Sequence, residues 1–323
     1  MAIIQTVTGP VDTSALGRVF SHEHVFVHDE GVLDAYPYLW DRDRAISMAR
    51  EKLTALYKRG VSTILEHSIL GCGRRIRDIA AVAEGLPIHI VAATGLYYFD
   101  RLPGIFQDED TIADCLIRDI TQGMEGTDIK AAIIKCATDR PGVTPGVEMA
   151  LRAAARAHRE TGAVLSTHAH AGSRQGLAQL EVFSKAGVDL TKVSIGHVMD
   201  SDQLDYHLAL LDQGCFIGFD RFAAGPPPPG IPYVEKAAAV GVLAELIRRG
   251  YLDQLLLGND GSCYQTVVRF GSEAVSPSIG NNDFTDFFDN IVPLMRQAGI
   301  TDGQIDHMLI DNHRRLLERN LAP

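Results

Sequence analysis

Short apolar segments alternate with longer amphipathic segments along most of the chain. The apolar segments have strand length and few polar interruptions, a pattern typical of strands buried on both faces of a parallel sheet. The amphipathic segments have the period and length of helices. The predicted strands are Val19–Phe26, Val61–Glu66, Ile88–Ala93, Ala131–Cys136, Ala163–His168, Lys192–His197, Cys215–Phe219 and Leu255–Gly258. The predicted helices are Asp43–Arg59, Arg74–Glu84, Asp110–Gln122, Pro145–Glu160, Ser173–Lys185, Ser201–Gln213 and Val234–Arg249.

Residues at several helix ends agree with these boundaries. Thr144 is a favourable N-cap and precedes Pro145, a residue favoured in the first helical turn. Gly162 follows the same helix, where a left-handed C-cap favours glycine. Ser173 and Ser201 also stand at predicted helix starts.

The repeated strand–helix unit predicts an α/β fold. Eight units favour a closed (β/α)8 TIM barrel, formed as a single domain over residues 1–323. An open doubly wound sheet is the alternative, but no G-x-G-x-x-G sequence follows the first strand. Two long segments, His28–Arg42 and Gly261–Asp283, show no regular pattern and follow strands. They are predicted to be irregular loops that shape a binding site.

Composition places the chain among folded globular proteins, with 323 residues, 46% hydrophobic and 22% charged. A formal net charge of −11 without a run of basic residues argues against a nucleic-acid partner, because such binding depends on clustered cations. Nowhere do about 18 apolar residues run together, so we expect no membrane span. Five scattered cysteines without a CxxC pair, and an N-terminus without secretory features, favour a cytoplasmic protein.

Four of the twelve histidines fall at predicted strand ends, where the active site of such a barrel lies. Two of them, His22 and His24, are two residues apart on one strand. Both side chains therefore project to the same face, as a shared metal ion requires. A core histidine bonded to a backbone carbonyl is the alternative for either residue. Glu23 between them is predicted to point toward the surrounding helices.

The other strand-end histidines are His168, which forms a second H-x-H pair with His170, and His197. Neutral imidazoles from several strands form a ligand set for zinc, iron, cobalt or manganese. The remaining seven histidines are expected to be solvated or hydrogen-bonded. They are His28, His67, His89, His158, His207, His307 and His313.

Two charged residues end apolar strands. Lys135 ends the fourth strand, where a bare ammonium would be costly to bury. Either its amine reaches solvent, which is the simpler interpretation, or carbon dioxide converts it to a carbamate whose oxygens could bridge two metals. Asp260 ends the eighth strand and could bind a metal and accept a proton from bound water. Asp220 and Glu66 have comparable positions, with a salt bridge or helix cap as the alternative role.

Taken in order, six segments resemble those of the phosphotriesterase family of the amidohydrolase superfamily, and most closely its lactonases. The segments are His22-Glu23-His24, Gly71-Cys72-Gly73-Arg74, Ile134-Lys135-Cys136-Ala137-Thr138, Thr167-His168, Ile195-Gly196-His197 and Asn259-Asp260. The resemblance extends from Thr6 to about Asn312 and implies an amidohydrolase-type barrel.

The resemblance also implies a binuclear metal centre with two divalent ions per subunit, zinc foremost and cobalt, iron or manganese as alternatives. The implied ligands are His22, His24 and Asp260 for the more buried ion, His168 and His197 for the more exposed ion, and N6-carboxylated Lys135 as a bridge beside a hydroxide. His170 stands as a substitute ligand for His168.

Two further matches point to lactonases. The resemblance implies that Tyr97 lies beside the bridging hydroxide and Arg221 beside the substrate. One departure is Gly258-Asn259-Asp260, where many members carry Ser-His-Asp. Losing that histidine would weaken proton removal from Asp260 and leave the metal ligand in place.

These groups predict opening of a lactone ring, with Tyr97 stabilising the oxyanion and Asp260 passing a proton to the leaving alkoxide. Apolar or stiff side chains that would suit an acyl tail are Phe222, Pro226–Pro229, Val267, Val268 and Phe270. We therefore expect a homodimeric lactonase for N-acyl homoserine lactones with medium or long chains, with quorum-quenching capacity and slow hydrolysis of organophosphate triesters. The alternatives are a dedicated phosphotriesterase (aryldialkylphosphatase), another carboxylic ester hydrolase, and a non-catalytic barrel that binds metal.

Overall fold

A computed structural model of the protein describes residues 2–98, 106, 108–223, 234–266 and 284–318. The strands are β1 (Ile3–Thr6), β2 (Gly9–Asp12), β3 (Arg18–His28), β4 (Val61–Glu66), β5 (His89–Gly95), β6 (Ile133–Thr138), β7 (Val164–Ala169), β8 (Val193–Gly196), β9 (Phe216–Phe219), β10 (Leu255–Leu257) and β11 (Gly261–Thr266). The helices are α1 (Glu30–Ala35), α2 (Arg42–Lys58), α3 (Ile76–Ala83), α4 (Glu109–Thr121), α5 (Pro145–Thr161), α6 (Gln175–Lys185), α7 (Leu204–Leu211), α8 (Lys236–Arg248), α9 (Val292–Gln297), α10 (Asp302–Asp306) and α11 (Asn312–Leu317).

Nine parallel strands form one curled sheet. Strands β3 to β9 pair with their neighbours in chain order, β10 pairs with β9, and β11 pairs with β3. Only three residues separate β10 from β11, so these strands are two halves of the eighth barrel strand. One half pairs with β9 and the other with β3, and together they close the sheet. The predicted (β/α)8 barrel is thus confirmed, with β1 and β2 as an added antiparallel hairpin.

The lower part of the barrel, at the N-terminal ends of its strands, is filled by apolar side chains. Seven strands contribute to this cluster: Val19, Leu65, Val91, Ile133, Val164, Phe216 and Leu256. Ile4 of the β1–β2 hairpin and Leu316 of α11 pack into the same cluster. Burying an aliphatic side chain stabilises a fold by about 1.5–3 kcal/mol, so the hairpin and the last helix help to close this end.

Helix ends follow the sequence signals in part. Thr144 caps α5 by accepting from the Val147 N–H, and Gly162 has the left-handed φ of 68° that the C-cap requires. The predicted starts at Ser173 and Ser201 are wrong, because α6 and α7 begin at Gln175 and Leu204. At Ser201, the hydroxyl accepts from the Gln203 N–H before the helix, which leaves α7 without a side-chain cap.

The two predicted irregular segments contain regular structure. His28 ends β3, and Asp29 caps the six-residue helix α1 by accepting from the Val32 N–H. That helix is too short to show a period in the sequence. Residues 261–266 form β11, whose polar sequence lacks the apolar run of the other strands. Residues 267–283 lie outside the described residues.

Three C-terminal helices, α9 to α11, were also not predicted. Each has five or six residues, and two π-helical turns, Phe287–Ile291 and His307–Asp311, precede α9 and α11. A π-turn inserts an extra residue and so breaks the 3.6-residue period on which the prediction relies. Across the described part of the chain, none of the helices is both long enough and apolar enough to cross a membrane.

Candidate metal centre

His22, His24 and Asp260 meet at the C-terminal end of the barrel. The Asp260 Oδ1 atom lies 3.3 Å from His24 Nε2 and 3.9 Å from His22 Nε2. Atoms at this spacing can surround one ion at roughly 2 Å from each, the usual length of zinc–nitrogen and zinc–oxygen bonds. The three residues therefore form a group that could hold a metal ion.

His168, His197 and Lys135 complete the set around the same cavity. The rings of His168 and His197 have centroids 4.7 Å apart, and His197 Nε2 lies 3.9 Å from Asp260 Oδ2. Lys135 Nζ lies 2.7 Å from His22 Nε2. The structure thus brings together all six predicted ligand residues, which line one cavity of about 290 Å³.

Burial sets the charge of the nitrogen groups. It lowers the pKa of His168 to about 4 and that of His197 to about 3, so both imidazoles are neutral at pH 7 and keep a free lone pair. The Lys135 side chain is buried and does not reach solvent. Burial lowers the pKa of its amine to about 8, against the opposing effect of Asp260 and Asp220. The Lys135 amine can therefore lose its proton near neutral pH.

Asp260 remains ionised in this site. Burial acts to raise the pKa of its carboxyl, but His197, His24 and Arg221 outweigh burial and hold the pKa well below its ordinary value. The residue has a left-handed backbone with φ of 50°, and its N–H donates to the His22 carbonyl at 2.8 Å. Its backbone is thus tied to the strand that carries His22 and His24.

Asp220 orients two of the predicted ligand residues. Its Oδ1 accepts from the backbone N–H of His197 at 2.8 Å and lies 3.0 Å from His197 Nδ1, while its Oδ2 lies 3.4 Å from His22 Nδ1. A carboxylate beside both Nδ1 atoms favours the tautomer with Nδ1–H, which turns the Nε2 lone pairs toward the ion site. Asp220 therefore supports the two imidazoles from the side opposite the ion site. Its position after a strand predicts either a role like that of Asp260 or a salt bridge or helix cap.

Ser68 and Glu66 support His24 in a similar way. The Ser68 hydroxyl donates to the Phe26 carbonyl at 2.6 Å, so its oxygen must accept from His24 Nδ1, 3.0 Å away. The buried Glu66 carboxylate accepts from the N–H groups of Val25 and Ser68, both at 3.1 Å. His24 thus also presents Nε2 to the site.

His67 lies beside the site, although the sequence predicts only a solvated or hydrogen-bonded histidine there. Its ring stacks on His22 with centroids 4.2 Å apart. The Leu65 carbonyl lies 2.9 Å from Nδ1 and the Ser166 hydroxyl 2.8 Å from Nε2, so both ring nitrogens have partners. His67 directly follows β4, and the predicted ligand residues have similar positions at the ends of other strands. This position was the sequence signal for its place beside the site.

Glu23 does not point toward the helices as predicted. Its side chain is buried, and its carboxylate accepts from the backbone N–H of Asn259 at 2.7 Å and of Gly261 at 3.0 Å. It faces the gap between the two halves of the eighth strand, because the closing strand lies beside β3 at this point.

Tyr97 and Arg221 also line the cavity. The Tyr97 ring lies 5.4 Å from the His168 ring, and burial raises the pKa of its hydroxyl well above the ordinary value. Arg221 Nε lies 3.0 Å from Asp260 Oδ2, and its guanidinium also pairs with Asp200.

Other predicted site residues lie elsewhere. Phe222 is fully buried and packs against Phe287 at 5.7 Å between ring centroids, so it belongs to the core and not to the cavity wall. His170 caps the turn Ala171–Ser173, where its Nδ1 lies 2.7 Å from the Ser173 hydroxyl. The expected wall residues Pro226–Pro229, Val267, Val268 and Phe270 lie outside the described residues.

Comparisons with a family model and with related proteins identify the same family. The model of the phosphotriesterase family matches residues 2–317. The chain belongs to the phosphotriesterase family. The phosphotriesterase homology protein of Mycobacterium tuberculosis is 39% identical over 329 residues, covering 99% of this chain and 98% of the relative. The aryldialkylphosphatase of Saccharolobus solfataricus is 32% identical over 310 residues, covering 94% of this chain and 96% of the relative.

A solved structure agrees with this membership. The structure of the phosphotriesterase from Mycobacterium tuberculosis superposes with a TM-score of 0.89 at 39% identity, covering 98% of each chain. The protein is therefore an enzyme, a hydrolase of the phosphotriesterase type. This family is generally binuclear and metal-dependent, and the donor set fits that chemistry because the imidazoles of His168 and His197 are neutral and the carboxylate of Asp260 is ionised.

Proposed function

We propose that this phosphotriesterase-family hydrolase is a lactonase that opens the ring of N-acyl homoserine lactones, and that it hydrolyses organophosphate triesters more slowly. The observation that carries the proposal is the placement of Tyr97 and Arg221 in one cavity with the six ligand residues. A neutral phenol and a guanidinium beside the ligand set suit an acyl transition state, whose negative charge develops on a single carbonyl oxygen.

We further propose two divalent ions, zinc foremost, with Lys135 carboxylated as the bridge between them. Three features support the bridge: the buried position of the amine, a pKa of about 8, and a distance of 2.7 Å from Nζ to His22 Nε2. When bound, such ions supply Lewis acidity that lowers the pKa of water and polarises an ester carbonyl.

The side chains of the protein provide the proton transfers and the orientation. Because burial raises the pKa of Tyr97, its hydroxyl keeps its proton at neutral pH and can donate to the developing oxyanion. Asp260 is ionised and can take a proton from the attacking water, then deliver it to the alkoxide that leaves as the ring C–O bond breaks. Arg221 holds this carboxylate in place from the cavity side.

A dedicated phosphotriesterase is the second candidate function. The name of the Saccharolobus solfataricus relative, an aryldialkylphosphatase, favours it. A tetrahedral phosphorus transition state can use the same pair of ions as an acyl one. The two candidates differ in which substrate is hydrolysed with the higher kcat/KM.

The test is proton release in a pH-stat. Opening one lactone ring with water gives a hydroxy acid and releases one proton at neutral pH. We expect rapid, metal-dependent release from a long-chain N-acyl homoserine lactone, none after chelator treatment, and a lower kcat/KM for diethyl 4-nitrophenyl phosphate. No release by protein that retains two ions would reject the lactonase and favour the phosphotriesterase. Equal rates for butanoyl and dodecanoyl lactones would reject the expected preference for medium or long acyl chains and leave the lactonase proposal standing.

A further inference from the structure

We infer that Glu23 is a positioning residue for Asp260: its carboxylate binds the backbone on both sides of Asp260 and thereby sets where the Asp260 side chain enters the metal centre. The inference rests on the metal centre of the proposed function and assigns a role to the residue between the two histidines of the His22-Glu23-His24 segment.

The eighth strand changes partners at Asp260. Before it, Leu256 in β10 pairs with Gly218 in β9, and after it, Ser262 in β11 pairs with His24 in β3. Residues 258–260 lie between these two ladders. The Gly258 N–H still donates to the Phe219 carbonyl of β9 at 3.2 Å. The N–H groups of Asn259, Asp260 and Gly261 need acceptors outside β9, since buried N–H groups are almost always paired.

Glu23 and its neighbour supply these acceptors for three consecutive residues. Glu23 Oε1 accepts from the Asn259 N–H at 2.7 Å, the His22 carbonyl accepts from the Asp260 N–H at 2.8 Å, and Glu23 Oε2 accepts from the Gly261 N–H at 3.0 Å. The two carboxylate oxygens thus replace the missing ladder on each side of Asp260.

This arrangement determines the direction of the Asp260 side chain. Asp260 has a φ of 50°, a left-handed conformation that L-residues adopt rarely and keep only when their surroundings hold it. With the peptides on both sides bound to Glu23, the Cα–Cβ bond points into the cavity, where Oδ1 lies 3.3 Å from His24 Nε2.

Gly261 shows how closely the carboxylate fits. A Cβ atom at this position would lie 3.1 Å from Glu23 Oε2 and 3.2 Å from the Phe284 ring. A side chain here would push the carboxylate away from the Gly261 N–H. The glycine therefore leaves room for the contact that fixes Asp260.

The experiment measures Co²⁺ binding by chelator competition, without substrate, in the wild type, Glu23→Gln, Asp260→Asn and the double variant. Glutamine offers one acceptor oxygen, and its NH₂ group would face the second backbone N–H. We expect Glu23→Gln to weaken binding of one ion by about 10- to 100-fold, the usual effect of losing support behind a ligand. If Glu23 acts through Asp260, the double variant binds Co²⁺ no more weakly than Asp260→Asn alone.

Asn312→Ala serves as the matched control, since it removes a buried polar side chain at the other end of the barrel. We expect it to lower the melting temperature and leave Co²⁺ affinity unchanged. An equal loss of Co²⁺ affinity in this control would overturn the inference. Wild-type affinity in Glu23→Gln would also overturn it, as would a double variant whose fold-loss of affinity is the product of the two single losses.

Gly261→Ala provides a second route if Glu23→Gln does not fold. This variant keeps the Glu23 carboxylate but crowds it. We therefore expect Co²⁺ to bind more weakly at the same site, with a smaller loss of affinity than in Glu23→Gln. Unchanged affinity would contradict the inference. Because substrate is absent, failure to hydrolyse lactones leaves the inference standing. Wild-type protein that binds no Co²⁺ would overturn both the metal centre and the role of Glu23.

Discussion

The two ends of the barrel are built from different kinds of interaction. At the C-terminal ends of the strands, charged and polar side chains such as Lys135, Glu23 and Asp220 are buried, and His197 and Asp260 have positive φ. At the N-terminal ends, apolar side chains fill the interior, and the β1–β2 hairpin and α11 cover it.

This difference separates function from stability along one barrel. Buried charges and left-handed backbone are unfavourable by themselves, and they persist because the rest of the fold holds them. We therefore expect substitutions at the C-terminal end to change metal binding and turnover more than unfolding. Substitutions at the N-terminal end should do the reverse.

The largest effect is expected for Asp260→Asn. The amide can still approach an ion but cannot accept and deliver a proton, so kcat should fall by about 10²- to 10⁴-fold. The free energy of unfolding should change little, because the side chains keep the same size. The measurement is steady-state kinetics on metal-replete protein beside urea unfolding. Wild-type turnover in this variant would remove the proton-transfer role.

Lys135→Met tests the bridge between the ions. Methionine has a similar length and fills the buried space without an amine that carbon dioxide can modify. We expect the variant to keep fewer than the two ions that we propose for the wild type, as measured by elemental analysis after gel filtration. A ¹³C signal from carboxylated lysine, obtained with ¹³C-bicarbonate, should be present in the wild type and absent in the variant. Full metal content in Lys135→Met would show that no bridge at residue 135 is needed.

Asp220→Asn should have a smaller effect on the same centre. The amide cannot accept from both His22 Nδ1–H and His197 Nδ1–H, so one ring loses its preferred tautomer. We expect Co²⁺ affinity to fall by about 10- to 100-fold. An unchanged affinity, with a lowered melting temperature, would place Asp220 among the stabilising residues and weaken the contrast between the two ends.

The fold, and the place where the six predicted ligand residues meet, were predictable because their signals are local. Each barrel strand except β11 contains a short apolar run. Five of the six predicted ligand residues lie within or next to such a run, so they could be found from local sequence alone. His22 and His24 share a face through strand geometry alone. The family resemblance added the roles of Lys135 and Asp260, whose isolated positions are ambiguous.

The supporting contacts were not predictable, because they join distant parts of the chain. Glu23 binds Asn259 and Gly261, 236 and 238 residues away, and nothing near Glu23 in the sequence indicates this. Phe222 was misassigned for a different reason. It directly follows Arg221, which faces the cavity, but the chain turns after β9 and Phe222 packs against Phe287 in the core.

The smallest effect on the metal centre, and the clearest test of the other end, is expected for Asn312→Ala. The Asn312 amide is buried in the first turn of α11 and donates to the carbonyls of Leu252 and Leu255 at 2.8 and 2.7 Å. These bonds join the last helix to the base of β10. The Leu252 carbonyl would still accept from the Leu255 N–H, but two hydrogen bonds to buried carbonyls would be lost. This loss should lower the free energy of unfolding by about 1–3 kcal/mol in urea titrations.

The companion variant Asn312→Asp keeps the size of the side chain but places carboxylate oxygens against the same carbonyls. It should therefore destabilise the fold at least as much as Asn312→Ala. Both variants should retain wild-type Co²⁺ affinity and kcat, because β10 carries none of the predicted ligand residues and Asp260 is held from β3. Loss of Co²⁺ affinity in either variant would mean that strain at the base of β10 reaches Asp260, and that the two ends of the barrel are coupled.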